Sequence, residues 1–198
     1  GGLLEDEIPI SNMNPCRLVE NNEKSFMLYP VTANEVISVV GSCKVKNSRI
    51  DQVPAIVFVR CVDILADPIA NIINVLFKEG TFPNDLKISR VIPLFKKGSS
   101  SDPSNYRPIS TLPFLSKIFE KVMYNRMIQF LNKFNIITSN QFGFRKESST
   151  NDAILTFTSQ IHSALNARKH CAAIFLDFSK AFDTNNHEIL LNKLSKLG

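Results

Sequence analysis

The chain has 198 residues, 44% of them hydrophobic, and a formal net charge of +5 at pH 7. This length and composition predict a globular protein with one hydrophobic core, or two small ones. No apolar run approaches the roughly 20 residues that span a bilayer, because Arg60 and Asp63 interrupt the best candidate, so we expect no membrane partner.

The charge is unevenly distributed along the chain. Residues 1–30 carry five acids and two bases, a net charge of −3, which leaves +8 on the remainder. A basic body weakly favours a polyanionic partner. The four cysteines have neither CxxC spacing nor a histidine at ligand distance, which argues against a zinc site and a disulfide framework. We therefore expect a reducing intracellular compartment, the nucleus or the cytoplasm.

The start of the chain, residues 1–31, is predicted to be an extended arm or linker. Pro9, Pro15 and Pro30 interrupt it, and its apolar residues follow no sustained period. The first residues, GGLLEDE, contain neither an initiator methionine nor the basic segment of a signal peptide. We expect the sequence to be a piece of a longer protein.

A first helix is predicted from Thr32 to about Cys43. Thr32 and Glu35 fit a capping box at its start, where the hydroxyl and the carboxylate would each accept a backbone N–H. Its apolar face comprises Val36, Val39 and Val40. The residues that follow, 44–51, form a polar loop without any glycine.

Two more helices are predicted before residue 81. Pro54 begins one over 55–65, and Asp67-Pro68 begins another that ends at Gly80. The spacing of the second predicts a buried face made of Ile69, Ile72, Ile73, Leu76 and Phe77.

Residues 88–95 and 106–111 are predicted to pair as a β-hairpin, and KKGSSSDPSN forms the loop between them. One acid, Asp102, lies in this region together with five cations: Lys87, Arg90, Lys96, Lys97 and Arg107. An exposed basic loop is most often a solvated surface, and binding of phosphate is the alternative.

Two longer helices follow the hairpin. The first is predicted over 114–134, with Lys117, Glu120, Lys121 and Arg126 on its exposed face. The second begins at Ser149 or Thr150 and ends at about Arg168. The loop between them contains the phrase QFGFRKESST.

The continuous apolar run 171–176, CAAIFL, predicts a strand that is covered on both faces. Asp177 then lies at the carboxyl end of the strand, the edge at which open α/β sheets bind ligands. A carboxylate there is a natural ligand for a hard cation, although a turn or helix cap is the commoner role. Asp183 is interpreted as the cap of a last helix, HEILLNKLSKLG, which ends at Gly198.

Five phrases, read in chain order, resemble reverse transcriptases of the LINE-type (non-LTR, jockey-like) retrotransposons: GTFPNDLK, IPLFKKG, NYRPIS, QFGFR and LDFSKAFDT followed by NNH. The resemblance extends over roughly 32–198. It implies an α/β (α+β) fold of the right-hand polymerase type, helix-rich, with fingers over 32–170 and the start of a palm over 171–198. The palm sheet would be incomplete, and the chain an amino-terminal fragment that ends just after motif A.

The same resemblance implies the roles of individual residues. Asp177 would be the catalytic carboxylate and a metal ligand, joined by the main-chain carbonyl of Phe178, in a two-ion Mg²⁺ site. Phe182 would be the steric gate that excludes a ribose 2′-hydroxyl. Lys96 and Arg107 would contact the nucleotide triphosphate, and the residues expected to contact nucleic acid are Lys97, Gln141, Gly143 and Arg145.

The implied activity is RNA-directed DNA polymerisation, with an RNA template, a DNA primer and deoxynucleoside triphosphates as partners. Such transfers need several converging carboxylates, and residues 1–198 contain no Y-x-D-D sequence to supply the others. We therefore expect the fragment to be inactive on its own and its metal site to be incomplete.

Two other interpretations remain open. Asp177 could be a phosphoryl acceptor, but phosphatases of that kind need an aspartate two residues later, where this chain has Ser179. The chain could instead be a non-catalytic retroelement relic or an RNA-binding module. The loop without glycine at 44–51 and Asn185, where relatives often have valine, favour that second alternative.

Overall fold

A computed structural model describes residues 24–45, 50–51, 53–178 and 181–198. In chain order its elements are α1 (Ala33–Ser42), α2 (Ala55–Arg60), α3 (Val62–Glu79), α4 (Asn84–Lys87), β1 (Arg90–Phe95), β2 (Tyr106–Thr111), α5 (Phe114–Lys133), α6 (Thr150–Asn166) and α7 (His187–Leu197). This helix-rich arrangement with one small antiparallel sheet among the described residues agrees with the helix-rich α+β part of the predicted fold class. Most of the predicted arm, 1–23, and half of the 44–51 loop, 46–49, lie outside the described residues, as does Ser179.

The chain divides into two compact units. The first unit is Met27–Phe130, and the second comprises Leu131–Gly198 together with the described residues 24–26. Across the described parts of both units, no helix combines the length and the apolar character that a membrane span requires.

The core of the first unit is built mainly by α1, α3 and α5. The fully buried side chains with the largest volumes are Phe114, Ile73, Ile118, Val36, Val40 and Val122. Burial of each large apolar side chain contributes about 1.5–3 kcal/mol. Helix α1 begins where predicted, since the Thr32 hydroxyl accepts a hydrogen bond from the Glu35 amide at 3.3 Å. The Glu35 carboxylate, predicted to complete a capping box, instead pairs with Arg126.

The boundary predicted at Asp67-Pro68 is wrong. Helix α3 already begins at Val62, Pro68 lies inside it, and the break from α2 falls at Cys61. A continuous helix places Ala66 on the same buried stripe as Ile69, Ala70 and Ile73, and this burial offsets the hydrogen bond that proline cannot donate. Ile72, predicted to be buried, is 47% exposed.

Arg126 also differs from its predicted place on the exposed face of α5, since it is only 2% exposed. Its guanidinium pairs with Glu35, donates to the carbonyls of Tyr29 and Pro30, and stacks 3.9 Å from the centre of the Tyr29 ring. An arginine can be buried when its several N–H donors all find acceptors. The extended segment 27–31 supplies two of these acceptors, and helix periodicity alone does not reveal them.

The hairpin forms as predicted, with β1 and β2 paired in antiparallel register. Arg90 pairs with Thr111, Leu94 with Arg107, and Pro93 with Pro108. One step beyond the strands the Lys96 amide donates to the Asn105 carbonyl at 2.8 Å. Hydrogen-bonded and non-hydrogen-bonded pairs alternate along such a ladder, so the two prolines face each other at a non-hydrogen-bonded position, where neither needs an N–H.

The second unit contains α6 and α7. Ser149 caps α6 through a complete capping box with Asp152, which confirms the predicted start. Helix α7 is capped by Asn186, whose side chain accepts from the Ile189 amide at 3.1 Å. The prediction that Asp183 caps this helix is therefore wrong, since the residue lies in the turn that precedes it.

The predicted strand at 171–177 does not form. Residues 171–178 have no regular secondary structure and are exposed along their whole length. A strand is stable only when its backbone groups pair with a neighbour, and the described residues contain one sheet, made of β1 and β2 alone. Phe175 makes a contact here nevertheless, since its ring packs 5.7 Å from that of Phe157 on α6.

Candidate functional site

Three cations of the hairpin, Arg90, Lys96 and Arg107, share one face. Residues that pair directly lie on the same side of a sheet, as do residues two positions apart along a strand. Lys96 is opposite Asn105, so Arg107 is the diagonal neighbour of Lys96 across the two strands. Diagonal neighbours in an antiparallel pair are about 7–8 Å apart. Arg90 lies on the same face at the far end of β1. All three side chains are exposed, so they form a cationic face that phosphate can reach.

The tip of the hairpin, 97–105, is held in shape by its own hydrogen bonds. Gly98 has a positive φ of 92°, and a Cβ at this position would lie 2.7 Å from Asn105 Nδ2. The same amide donates to the Ser99 carbonyl at 2.9 Å, and the Tyr106 hydroxyl donates to the Ser100 carbonyl at 2.8 Å. Lys97 is exposed at the start of this ordered tip.

Asp102 shapes the other side of the tip. Its carboxylate accepts a hydrogen bond from the Ser104 amide at 2.9 Å and caps the short 3₁₀ helix Pro103–Asn105. Hydrogen bonds from the backbone and side chain of Ser104 hold the pKa of Asp102 below its ordinary value. The one acid in the sequence between Lys87 and Arg107 is thus already engaged within the tip.

Asp177 and Phe178 lie in the exposed segment that precedes the turn at 181–184. Within the described ranges, no three His, Cys, Asp or Glu side chains come together as a possible metal site.

The loop between α5 and α6 is closed by its own polar side chains. Gln141 Nε2 donates to the Gly143 carbonyl at 3.2 Å, and Arg145 Nη1 donates to the Thr138 carbonyl at 3.1 Å. Both side chains are exposed, and a Cβ at Gly143 would meet nothing within 4 Å. Arg145 therefore supports the loop with one nitrogen and retains further donors for another partner.

Phe144, in the same loop, is brought against Phe182. The ring centroids are 6.1 Å apart and the ring planes stand at 89°, an edge-to-face arrangement. Phe144 was not among the residues predicted to form the site. It stands inside the phrase QFGFR, but no spacing or charge pattern distinguishes it from a packing residue.

The predicted site residues fall into two groups. Lys96, Lys97 and Arg107 belong to the first unit, and the remaining ones, Gln141, Gly143, Arg145, Asp177, Phe178 and Phe182, belong to the second. Within the second unit the structure brings the 141–145 loop and Phe182 together through the Phe144 ring.

Comparison with known proteins places this arrangement in context. The family described as "Reverse transcriptase (RNA-dependent DNA polymerase)" matches residues 95–198, a range that contains the second strand of the hairpin and Asp177. The chain is also similar to three proteins of Drosophila melanogaster. It is 30% identical over 182 residues to the probable RNA-directed DNA polymerase from transposon BS, covering 88% of this chain and 20% of that protein.

The other two relatives give the same result. The RNA-directed DNA polymerase from mobile element jockey is 29% identical over 192 residues, covering 92% of this chain and 21% of its own length. The probable RNA-directed DNA polymerase from transposon X-element is 27% identical over 188 residues, covering 91% and 18%. The chain spans about a fifth of the length of these curated relatives.

Proposed function

The chain belongs to the reverse transcriptase (RNA-dependent DNA polymerase) family. From this membership we propose that it is a segment of the RNA-directed DNA polymerase of a jockey-like, non-LTR retrotransposon. The substrates are then an RNA template, a DNA primer and deoxynucleoside triphosphates. The observation that carries the proposal is the family match over 95–198, which includes both Arg107 and Asp177. The proposed organisation is an arm over 1–31, fingers over 32–170 and the start of a palm over 171–198.

The reaction joins a primer 3′-hydroxyl to the α-phosphate of the nucleotide and releases pyrophosphate. In the proposed mechanism Lys96 and Arg107 bind the triphosphate from the cationic face of the hairpin. Their exposure and diagonal spacing support this role, because a guanidinium offers a planar fork to phosphate oxygens and an ammonium offers a movable point charge. Lys97, Gln141, Gly143 and Arg145 are proposed to contact template or primer.

Transfers of this kind use two divalent ions, which activate the hydroxyl and stabilise the leaving oxygen. We propose that Asp177 and the main-chain carbonyl of Phe178 supply ligands for such an ion, Mg²⁺, in a complete polymerase. Asp177 is exposed, so an ion bound to its carboxylate could also be bound by ligands from other parts of the polymerase. Phe182, five residues along, is proposed as the gate beneath the sugar of the nucleotide.

A chimera tests the proposal directly. This chain replaces the matched segment of the jockey polymerase, and extension of a DNA primer on an RNA template is measured with Mg²⁺. We expect extension that Asp177→Asn abolishes, whereas Arg107→Ala lowers kcat/KM for the deoxynucleotide about 10- to 150-fold, the effect of losing one hydrogen bond to a charged group. Arg90→Ala, at the far end of the same face, is the matched control and should change it less than threefold. A chimera that folds and binds primer-template but extends nothing contradicts the proposal.

A second candidate function is RNA binding without catalysis. It is favoured by the cationic face, which needs no metal ligand to attract phosphate. Anisotropy titrations of the 198-residue chain with single-stranded RNA at several salt concentrations measure this binding. If three cations contact phosphate, the slope of log K against log salt is about −2, and Arg107→Ala lowers its magnitude by about 0.7. Such binding, combined with an inactive chimera, identifies the chain as a binding module.

A further inference from the structure

The contact between Phe144 and Phe182 is not ordinary core packing. Phe144 is 87% exposed and Phe182 is 80% exposed, so neither ring is covered by the rest of the second unit. Their perpendicular planes and 6.1 Å centroid separation match the edge-to-face geometry that the charge distribution of aromatic rings prefers. Two exposed rings therefore orient each other while their remaining faces stay open.

The backbone of Phe144 adds an independent observation. Its φ is +59°, in the left-handed region that bulky residues rarely occupy. The loop holds this conformation from both sides, through the Gln141 bond to the Gly143 carbonyl and the Arg145 bond to the Thr138 carbonyl. Hydrogen bonds on both sides of Phe144 thus hold its backbone in place, and this determines the position from which its ring contacts Phe182.

We propose that Phe144 is a specificity-determining positioning residue, whose ring holds Phe182 in the orientation that discriminates deoxyribose from ribose. The inference rests on the proposed role of Phe182 as the gate. A gate excludes a 2′-hydroxyl by occupying its volume, so a ring that can rotate away discriminates less. An edge contact from Phe144 disfavours such rotations.

The test uses the jockey chimera and two substitutions of one side chain. Phe144→Leu keeps an apolar side chain but removes the ring, and Phe144→Tyr keeps the ring. The ratio of kcat/KM for a deoxynucleotide to kcat/KM for the matching ribonucleotide is measured for each. We expect Phe144→Leu to lower this ratio about 2- to 12-fold, the range for loss of one aromatic pair, with kcat/KM for the deoxynucleotide nearly unchanged. Phe144→Tyr should keep the wild-type ratio.

A second aromatic pair of the same unit supplies the matched control. Phe157 and Phe175 are 5.7 Å apart with planes at 67°, and Phe157→Leu removes a ring without affecting the Phe182 contact. Phe157→Leu should leave the ratio at the wild-type value. If it lowers the ratio as much as Phe144→Leu does, the effect is a general loss of packing and the inference is wrong.

Phe182→Ala separates failure of this inference from failure of the proposed function. If Phe182→Ala leaves the ratio unchanged, the gate assignment itself is wrong. If Phe182→Ala lowers the ratio and Phe144→Leu does not, only the positioning role is wrong. In the double variant the loss should equal that of Phe182→Ala alone, because no ring remains to be positioned. A double-variant loss that is larger by the full factor measured for Phe144→Leu overturns the proposal.

Discussion

Arg126 and Glu35 form a bidentate ion pair inside the first unit, with Nη2 2.7 Å from Oε2 and Nε 3.1 Å from Oε1. The two residues are 91 positions apart in sequence, so the pair joins α1 to α5. The same guanidinium binds the carbonyls of Tyr29 and Pro30. One side chain therefore fastens the segment before α1 to the last helix of the unit.

Removal of this side chain should be costly. Arg126→Ala leaves the Glu35 carboxylate and two carbonyls without their donor, and we expect it to lower the free energy of unfolding by about 3–5 kcal/mol. Guanidinium denaturation followed by helical circular dichroism measures the change. Asn132→Ala, on an exposed position of the same helix, is the control and should stay within about 0.5 kcal/mol. A loss below about 1 kcal/mol for Arg126→Ala would contradict the buried placement.

Asn74 makes a second attachment for the same segment. Its side-chain oxygen accepts from the Val31 amide at 2.6 Å, and its nitrogen donates to the Val31 carbonyl at 3.0 Å. Asn74→Ala leaves both groups of a buried residue unpaired, at about 1–3 kcal/mol for each. Asn71→Ala, exposed on the same helix, is the matched control. Equal stabilities of the two variants would show that Asn74 does not hold Val31.

Gly98 is required by the hairpin tip, whereas Gly41 is not required by α1. Gly98→Ala would place an alanine at positive φ, with its Cβ against the Asn105 side-chain amide. The left-handed conformation alone destabilises the tip by about 1–2 kcal/mol. Hydrogen exchange of the Lys96 amide, which donates to Asn105, should then accelerate about 5- to 30-fold. Gly41→Ala meets nothing within 4 Å and should stabilise the helix by about 0.5–1 kcal/mol. An unchanged Lys96 exchange rate in Gly98→Ala would refute the tip geometry.

The stability of the start of α6 should depend on pH. Hydrogen bonds from the side chain and backbone of Ser149 hold the pKa of Asp152 below its ordinary value. A depressed folded pKa contributes stability above the unfolded value of about 3.9, and this contribution disappears as pH falls through the lower folded pKa. Ser149→Ala should raise the Asp152 pKa toward the ordinary value and weaken this acid dependence. NMR titration of the Asp152 carboxyl group measures the pKa. Ser159→Ala is the control and should leave the Asp152 pKa unchanged.

Local signals in the sequence were sufficient for much of the fold. The capping residues Thr32 and Ser149 begin their helices where predicted, because a cap hydrogen bond depends on neighbours three residues away. The hairpin also follows from local alternation and turn residues. These features need no knowledge of distant contacts.

The predictions for Arg126 and for the apolar run 171–176 failed because both depend on partners far along the chain. Arg126 is buried because carbonyls of the segment 27–31 and the Glu35 carboxylate surround it. The apolar run 171–176 suggests a strand, but strand formation requires a hydrogen-bonded neighbour, and the described residues provide none. The contact of Phe144 with Phe182 likewise joins two loops that no spacing rule relates.

The opposed prolines of the hairpin, Pro93 and Pro108, limit how the sequence can change in length. Each is tolerated because its nitrogen points away from the partner strand. Insertion or deletion of a single residue within either strand would shift the register by one, move one proline into the hydrogen-bonded ladder, and turn the cations of that strand to the opposite face. A change in length within the tip, 97–105, would disturb the hydrogen bonds of the tip but leave the register of β1 and β2 intact, whereas a single-residue insertion or deletion within a strand would change the register itself.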